Sequence, residues 1–380
     1  MINRLKQIVR NSKPLALLSV SNDIVTDNRL HKVSLTLRKF GYKVLLTGRK
    51  LPSNIVVSEQ VDVEFARFRM LFNKKVFFYA ELNFRLFFYI LRKRPAILVS
   101  NDMDTLPAHI LAGKLLGIKV FFDSHEYFSE SPELENRDFV KGLWKRLEDI
   151  FIPQAYKIYT VSNSIAETYK KLYQKDVYLV RNLPLKNVPV IIPESPLLLG
   201  QNKIIIYQGV LNVGRGIELM IDAMKLLPNY TLLVIGGGDI SKELHDRAKH
   251  NRVLTRIVFT GKISFTDLPY YTRQAYIGLS LEEDMGLNYQ FSLPNKIFDY
   301  IQANVPLLVS NLPEMAKLAK EYAIGDVLHD RTPQALANII TKIADDKESY
   351  SLWKQNLIKA ADDLCWEKQE EMLHSIYFDK

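Results

Sequence analysis

Leu293-Pro294-Asn295-Lys296-Ile297-Phe298-Asp299-Tyr300 leads through Ala303 and Pro306 into the apolar run Leu307-Leu308-Val309-Ser310. This stretch decides the fold. It reads as a helix set between two apolar strands, the first at 276–281 and the second at 307–309. Lys296 and Asp299 lie three residues apart, nearly one turn, so their side chains share a helix face. A helix N-terminus that follows a parallel strand attracts anions through its free N–H groups and its dipole. A lysine there suits a diphosphate, and a carboxylate one turn deeper suits a ribose diol.

Working outward, short apolar strands alternate with helical patterns along the whole chain, which argues for α/β architecture with parallel sheets and crossover helices. Strands are expected at 15–20, 43–47, 61–65, 96–100, 120–123, 157–161 and 177–180, and again at 203–207, 231–235, 257–259, 276–281, 307–309 and 326–328. Helices 27–40 and 105–116 end at Gly41 and Gly117, residues that suit a left-handed cap. Pro184, Pro189, Pro193 and Pro196 mark 184–201 as a linker between a first domain, 1–183, and a second, 202–364. The tail 353–377 reads as helix.

At 380 residues, 47% hydrophobic and 24% charged, the chain has the size and core of two ordinary globular domains. A single cysteine, Cys365, allows no internal disulfide and fits a reducing compartment. No signal peptide and no apolar run of membrane-spanning length is expected, so the reading is cytoplasmic. Residues 1–100 hold 19 Lys and Arg against 6 Asp and Glu, a net +13, which leaves −4 for the rest of a chain of net charge +9. The basic part points either to an anionic ligand or surface, or to plain solubilising charge.

Polar residues at strand ends matter most, because ligands of open parallel sheets bind there. The strand 203–207 runs into Gln208-Gly209-Val210-Leu211-Asn212-Val213-Gly214-Arg215-Gly216, where glycines admit a ligand and Arg215 can grip phosphate bidentately. The next strand ends in Gly236-Gly237-Gly238-Asp239, and the third in Thr260-Gly261-Lys262.

Taken together, Tyr207-Gln208-Gly209, Arg215-Gly216, Gly236-x-Gly238, Phe259-x-Gly261 and Pro294-Asn295-Lys296-x-Phe298-Asp299-Tyr300 with Pro306 resemble the nucleotide-sugar half of GT-B glycosyltransferases, above all the large retaining family 4. The resemblance covers 200–377 well. It implies two facing Rossmann-like domains, the donor bound in the second and the acceptor in the first, and a final helix, about 365–380, crossing back to the first domain. By position, Arg215 and Lys296 would hold the donor diphosphate, and Asp299 would bond the ribose in place of the family's usual glutamate. Gly209, Gly216, Gly236, Gly238, Lys262 and Asn295 would complete the donor side. The chain departs from the family at Phe291, where a second glutamate often touches the sugar, and at Val210, where an arginine is frequent. Glu282, Glu283, Asp284 and Asn288 are the residues that can replace the missing sugar contact.

In the first half the resemblance is looser. Asp27, Asn28 and Arg29 precede or open a helix, and Asn101-Asp102 and Asp123-Ser124-His125-Glu126 follow strands. Asp27, Asn28, Arg29 and Asp102 are the acceptor-side candidates, with helix capping the alternative for Asp27. By the resemblance His125 is expected near the reacting sugar, with a loop histidine bonded to backbone the alternative. Asp102-Met103-Asp104 is a decoy for a metal motif; Asp104 is expected to cap a helix or meet the acceptor, and no metal or other cofactor is expected. Residues 65–94 interleave aromatic and basic side chains, which fits either an anionic membrane surface or a core helix with a basic back. Nucleic acid is not an expected partner, since no recognition motif accompanies the charge.

The resemblance thus implies a metal-independent, retaining transferase that moves a sugar from a nucleotide-diphosphate sugar to a hydroxyl acceptor, a glycan or lipid-linked chain of a bacterial surface. Rivals are a nucleotide-sugar epimerase of the same fold and a catalytically silent nucleotide- or glycan-binding scaffold.

Overall fold

The computed structural model describes residues 13–22, 24, 27–51, 63–72, 75–130, 134, 137–186, 189–194, 196–197, 200 and 202–379. The chain divides into two compact units. Unit 1 comprises 1–181 with 370–380, and unit 2 comprises 182–369.

Unit 1 is built on seven strands: β1 Leu15–Ser19, β2 Lys43–Arg49, β3 Val63–Phe68, β4 Ile97–Asn101, β5 Lys119–Ser124, β6 Lys157–Thr160 and β7 Val177–Leu179. All pair in parallel, in the order β3-β2-β1-β4-β5-β6-β7. Unit 2 carries β8 Lys203–Gln208, β9 Tyr230–Ile235, β10 Ile257–Gly261, β11 Ile277–Ser280, β12 Leu307–Ser310 and β13 Gly325–Leu328. These too are parallel, in the order β10-β9-β8-β11-β12-β13. Central strands such as Leu17-Leu18 and Ile205-Ile206-Tyr207 are buried, because helices cover both faces of a parallel sheet. Two wound parallel sheets are what the alternation of strands and helices predicts.

Several boundaries differ from the sequence expectation, each for a local reason. Val61 and Lys74 lie outside the described residues, as do 187, 188, 195, 198, 199 and 201 of the expected linker. Leu183 is buried in the unit 2 core with Leu357 and Leu364, so the chain joins unit 2 before the prolines. The tail is two helices, Lys347–Asp363 and Trp366–Phe378, not one. The break falls at Leu364 (φ −104°, ψ 61°), where the Gln302 amide donates to the carbonyls of Ala361 and Leu364 at 2.8 and 3.1 Å. Those bonds satisfy acceptors that a helix end leaves open, and Asp362-Asp363 at a helix C-terminus oppose its dipole. The last helix starts in unit 2, where the Trp366 amide donates to Pro184 O at 2.8 Å. Its final turns belong to unit 1, where Glu370 accepts from Lys39 at 2.7 Å and the Tyr377 and Tyr159 hydroxyls meet at 2.9 Å.

Within 65–94 lies the helix Lys75–Lys93. Phe78, Leu82, Leu86 and Ile90, four residues apart, are buried and form the inner stripe. Its outer stripe is aromatic as well as basic: Phe77, Phe84 and Phe88 are 64%, 66% and 53% exposed. Among the described residues no helix is long and apolar enough to cross a membrane.

Candidate functional site

In unit 2 the strand order reverses between β8 and β11, and this switch point is where an open α/β sheet leaves a crevice for ligand. Three charged side chains converge there. Lys296, in the first turn of the helix Asn295–Gln302, donates from Nζ to Glu282 Oε1 at 2.5 Å. Arg215 Nη1 stands 3.9 Å from the same oxygen. Glu282 follows β11 and is fully buried, its other oxygen accepting from Ser280 Oγ at 2.7 Å. Burial works to raise the Glu282 pKa, but the Lys296 ammonium outweighs it and holds the carboxyl below its ordinary value.

The two cations differ in access. Lys296 is 7% exposed, packed over the Tyr207 ring at 4.4 Å and beside Gly209. Arg215 is one-third exposed, its guanidinium 5.3 Å from the Tyr289 ring. Arg215 is therefore the cation presented to a ligand, and Lys296 lies beneath it.

The glycine loops meet at this point because no side chain would fit. Gly216 has φ +72°, and a Cβ there would overlap the Leu281 carbonyl. Gly236 has φ +141°, and a Cβ there would overlap the Gly209 carbonyl. These contacts pack the loops after β8, β9 and β11 backbone against backbone. Gly238 backs onto the Leu211 carbonyl, and Lys262 and Asn295 are exposed at the rim.

Asp299 reaches the end of β8, where its Oδ2 accepts from Gln208 Nε2 at 2.8 Å; Gln208 Oε1 in turn accepts from Thr272 at 2.8 Å. Lys296 and Asp299 thus address adjacent residues, Gly209 and Gln208, as their three-residue spacing predicts. Of the residues able to replace the glutamate absent at Phe291, Glu282 is engaged with Lys296 and Asp284 accepts from Gln290 at 2.9 Å. Glu283 is tied by its backbone amide to Gly214 O at 2.8 Å, and its half-exposed carboxylate is 3.7 Å from Arg331. The structure therefore places Glu283 beside the Arg215 loop with its side chain still accessible.

Unit 1 has its own switch point, between β1 and β4, bridged by Asn101 Nδ2 donating to Ser19 O at 3.0 Å. Nearby, at the ends of β4 and β5, His125 lies between two carboxylates. Its Nδ1 is 3.3 Å from Asp102 Oδ2, its Nε2 is 3.4 Å from Asp123 Oδ2, and its amide donates to Asp102 Oδ1 at 2.8 Å. Asp102 adopts φ +62°, a strained conformation of the kind that clusters at functional sites. Burial lowers the His125 pKa, but Asp102 and Asp123 outweigh it and raise the value to about 9. At neutral pH the ring is thus a cation and hydrogen-bond donor, not a base.

That geometry carries a pH dependence. His125 has a folded pKa above its unfolded value of 6.5, so its stabilising effect is full below that pH and is lost as pH rises through about 9. Asp102, pushed up to about 6 by burial, titrates below this window. Unit 1 should lose stability between pH 7 and 9.5, and His125→Gln should flatten the slope in denaturant titrations at each pH. An unchanged slope in the variant would place the titrating group elsewhere.

The other first-half candidates separate into distinct roles. Arg29 is buried in an ion pair with Asp123, Nη2 to Oδ1 at 2.7 Å and Nε to Oδ2 at 3.0 Å. Its charge faces Asp123 inside the unit, so it positions β5 and does not face outward. Asp27 caps the helix Asn28–Lys39, accepting from the Leu30 amide at 2.9 Å, while Asn28 is exposed. Asp104 is not the cap of the next helix: Thr105 occupies that position and turns its hydroxyl to Ser100 and Asn101 O instead.

The family profile described as glycosyl transferases group 1 matches residues 191–360, and that described as glycosyltransferase family 4 matches residues 28–182. The chain is a GT-B glycosyltransferase of the family 4 type. It is 24% identical over 183 residues to TuaH of Bacillus subtilis, a protein named as a teichuronic acid biosynthesis glycosyltransferase. That match covers 47% of this chain and 44% of TuaH, less than half of the relative's length. A sucrose-phosphate synthase from Thermosynechococcus elongatus shares the fold with a TM-score of 0.75 at 18% identity, covering 96% of this chain and 98% of that one. HepE from Anabaena, solved in complex with UDP-glucose, does so with a TM-score of 0.74 at 14% identity, over 96% and 99% of the two chains.

For a transferase of the family 4 type, the donor-side residues named from sequence gather as a group in unit 2. Two residues escaped that reading as parts of the charged centre. Glu282 is one of three consecutive acids, and only its burial distinguishes it from Glu283 and Asp284. Gln208 carried a signal, a polar residue ending an otherwise apolar strand.

Proposed function

We propose that this chain is a retaining, metal-independent glycosyltransferase that moves a sugar from a nucleotide-diphosphate sugar to a hydroxyl of a bacterial surface glycan or its lipid-linked precursor. The observation that carries the reading is the Arg215–Glu282–Lys296 cluster at the unit 2 switch point, with Asp299 beside it on Gln208. In such a transfer the bond from the anomeric carbon to the diphosphate oxygen breaks, and the acceptor oxygen bonds to that carbon. Negative charge grows on the leaving diphosphate, and a cation fixed in place stabilises it there without reorganisation. Arg215 supplies that cation from a partly exposed position and Lys296 from below. Retention follows if the acceptor attacks from the face the diphosphate leaves and passes its proton to a diphosphate oxygen. Asp299 accepts from the ribose hydroxyls, exchanging its bond with Gln208.

A UDP sugar is the first donor to test, since HepE binds UDP-glucose. The relation to TuaH directs the acceptor search to anionic surface glycans. Charged hydrogen bonds are worth roughly 1.5–3 kcal/mol each, and about 1.4 kcal/mol is a factor of ten. Arg215→Ala should therefore lower turnover at least about tenfold with the fold intact, and EDTA should leave turnover unchanged. Full activity in Arg215→Ala would remove the donor-site assignment. Activity stopped by EDTA and restored by manganese would remove metal independence. Chromatography of the products separates transfer from epimerised donor or from an inert scaffold.

The outer stripe of Lys75–Lys93 supports a peripheral place on an anionic membrane. Phe77, Phe84 and Phe88 are exposed along it, and Arg85, Arg92 and Lys93 lie on the same helix. Flotation with anionic vesicles should show binding that weakens with salt, because exposed charges are screened within about 8 Å at physiological ionic strength. Phe84→Ser with Phe88→Ser should abolish it. Equal recovery on neutral and anionic vesicles would remove the electrostatic part of this reading.

A further inference from the structure

Glu282 presents an electrostatic contradiction. A fully buried carboxylate stands within an anion-binding centre, 2.5 Å from one cation and 3.9 Å from the other. It is also held firmly. Ser280 bonds its side chain, Ser310 Oγ donates to its carbonyl at 2.6 Å, and Arg331 donates to the same carbonyl at 3.0 Å and to Leu281 O at 2.9 Å. Both carboxylate oxygens are thus bonded, to Lys296 and Ser280, and the bonds to the carbonyls fix the backbone that carries them.

We propose that Glu282 is a counter-charge for the nucleotide site: it positions the Lys296 ammonium under Gly209 and limits how tightly the diphosphate is held, so that the nucleoside diphosphate product can leave. This rests on the donor-site reading above. Arg215 and Lys296 alone would offer two positive charges to the diphosphate; with Glu282 the centre carries a net single positive charge. The diphosphate must draw on an ammonium already bonded to a carboxylate, and it meets the repulsion of that carboxylate. Ground-state affinity falls by this arrangement. The charge that develops on the leaving oxygen still finds both cations in place, and interactions that strengthen only in the transition state are those that raise turnover.

The role predicts a sign that a merely structural ion pair does not. Removing Glu282's charge should tighten binding of the product and slow the enzyme. Calorimetric titration of UDP, GDP, ADP, CDP and dTDP into the full chain identifies the ligand, and the same ligand is then titrated into three variants. Glu282→Gln should bind it at least about tenfold more tightly than the unaltered chain, with a lower kcat at saturating donor. Lys296→Gln should bind more weakly, because the carboxylate is then unopposed. Glu282→Gln/Lys296→Gln should recover at least about tenfold over Lys296→Gln alone. Unchanged or weaker binding by Glu282→Gln, or no recovery in the double variant, overturns the proposal. If neither single variant folds, the double variant decides: it keeps the same net charge, so affinity within a few-fold of the unaltered chain supports the proposal and a loss beyond about tenfold overturns it. If the unaltered chain binds none of the five, the nucleotide-sugar reading itself fails, and this inference with it.

Discussion

Lys296→Met should destabilise unit 2 by about 3–5 kcal/mol, the cost of leaving one partner of a buried ion pair without the other. The Glu282 carboxylate has no solvent route, being fully buried, and Arg215 at 3.9 Å is too far to donate a hydrogen bond to it. The orphaned acid stays ionised near neutral pH, with Arg215 3.9 Å away, and takes up a proton as the medium becomes acid, so the loss should shrink as pH falls. Glu282→Leu added to Lys296→Met should recover most of the loss, because replacing both partners with apolar side chains is often neutral or better. Hydrogen exchange over β8 and β11 reads this unit by itself, which matters because a chain of two units need not unfold in one step. Undiminished protection in Lys296→Met would mean that the pair forms only weakly in solution.

Arg29→Met should cost unit 1 about 3 kcal/mol, the lower end of the same range, because His125 remains 3.4 Å from Asp123 as a second cation. Arg29 and Asp123 are both buried and joined by three close contacts, at 2.7, 3.0 and 3.1 Å. If Arg29 met an acceptor, its loss would raise KM and leave stability unchanged. If it positions β5, its loss should lower stability, raise the His125 pKa by removing a neighbouring cation, and leave KM for small acceptors almost unaltered. Denaturation followed at Trp144, which lies in unit 1, distinguishes these outcomes. A KM effect with full stability would return Arg29 to the acceptor side.

Much of this architecture is legible in the sequence because periodicity and strand-end residues are local. The helix Asn295–Gln302 was readable from its position between two apolar runs, and the glycines at 209, 216 and 236 from their place after strands. What sequence hides is partner choice across distance. Arg29 and Asp123 are far apart in the chain, so the arginine reads as a helix-start cation open to a ligand. Glu282 stands beside Glu283 and Asp284 as one of three consecutive acids, and only its bonds to the distant Lys296 and to Ser280 single it out. The break at Leu364 depends on a glutamine sixty residues earlier reaching back to the helix end. Thr105 in place of Asp104 at the helix start follows from hydroxyl bonds to Ser100 and Asn101, which the sequence pattern alone does not rank against an aspartate cap.

The central claim is that unit 2 binds a nucleoside diphosphate through the cluster at the end of β8 and β11. Thermal unfolding of the full chain with UDP, GDP, ADP, CDP and dTDP tests it most directly. A ligand at about 100 times its dissociation constant adds about 2.7 kcal/mol to the state that binds it. One of the five should raise the transition of unit 2 by that amount, and Arg215→Ala, which weakens binding at least about tenfold, should cut the stabilisation to about 1.4 kcal/mol or less at the same ligand concentration. No shift with any of them, or an undiminished shift in Arg215→Ala, would contradict the account.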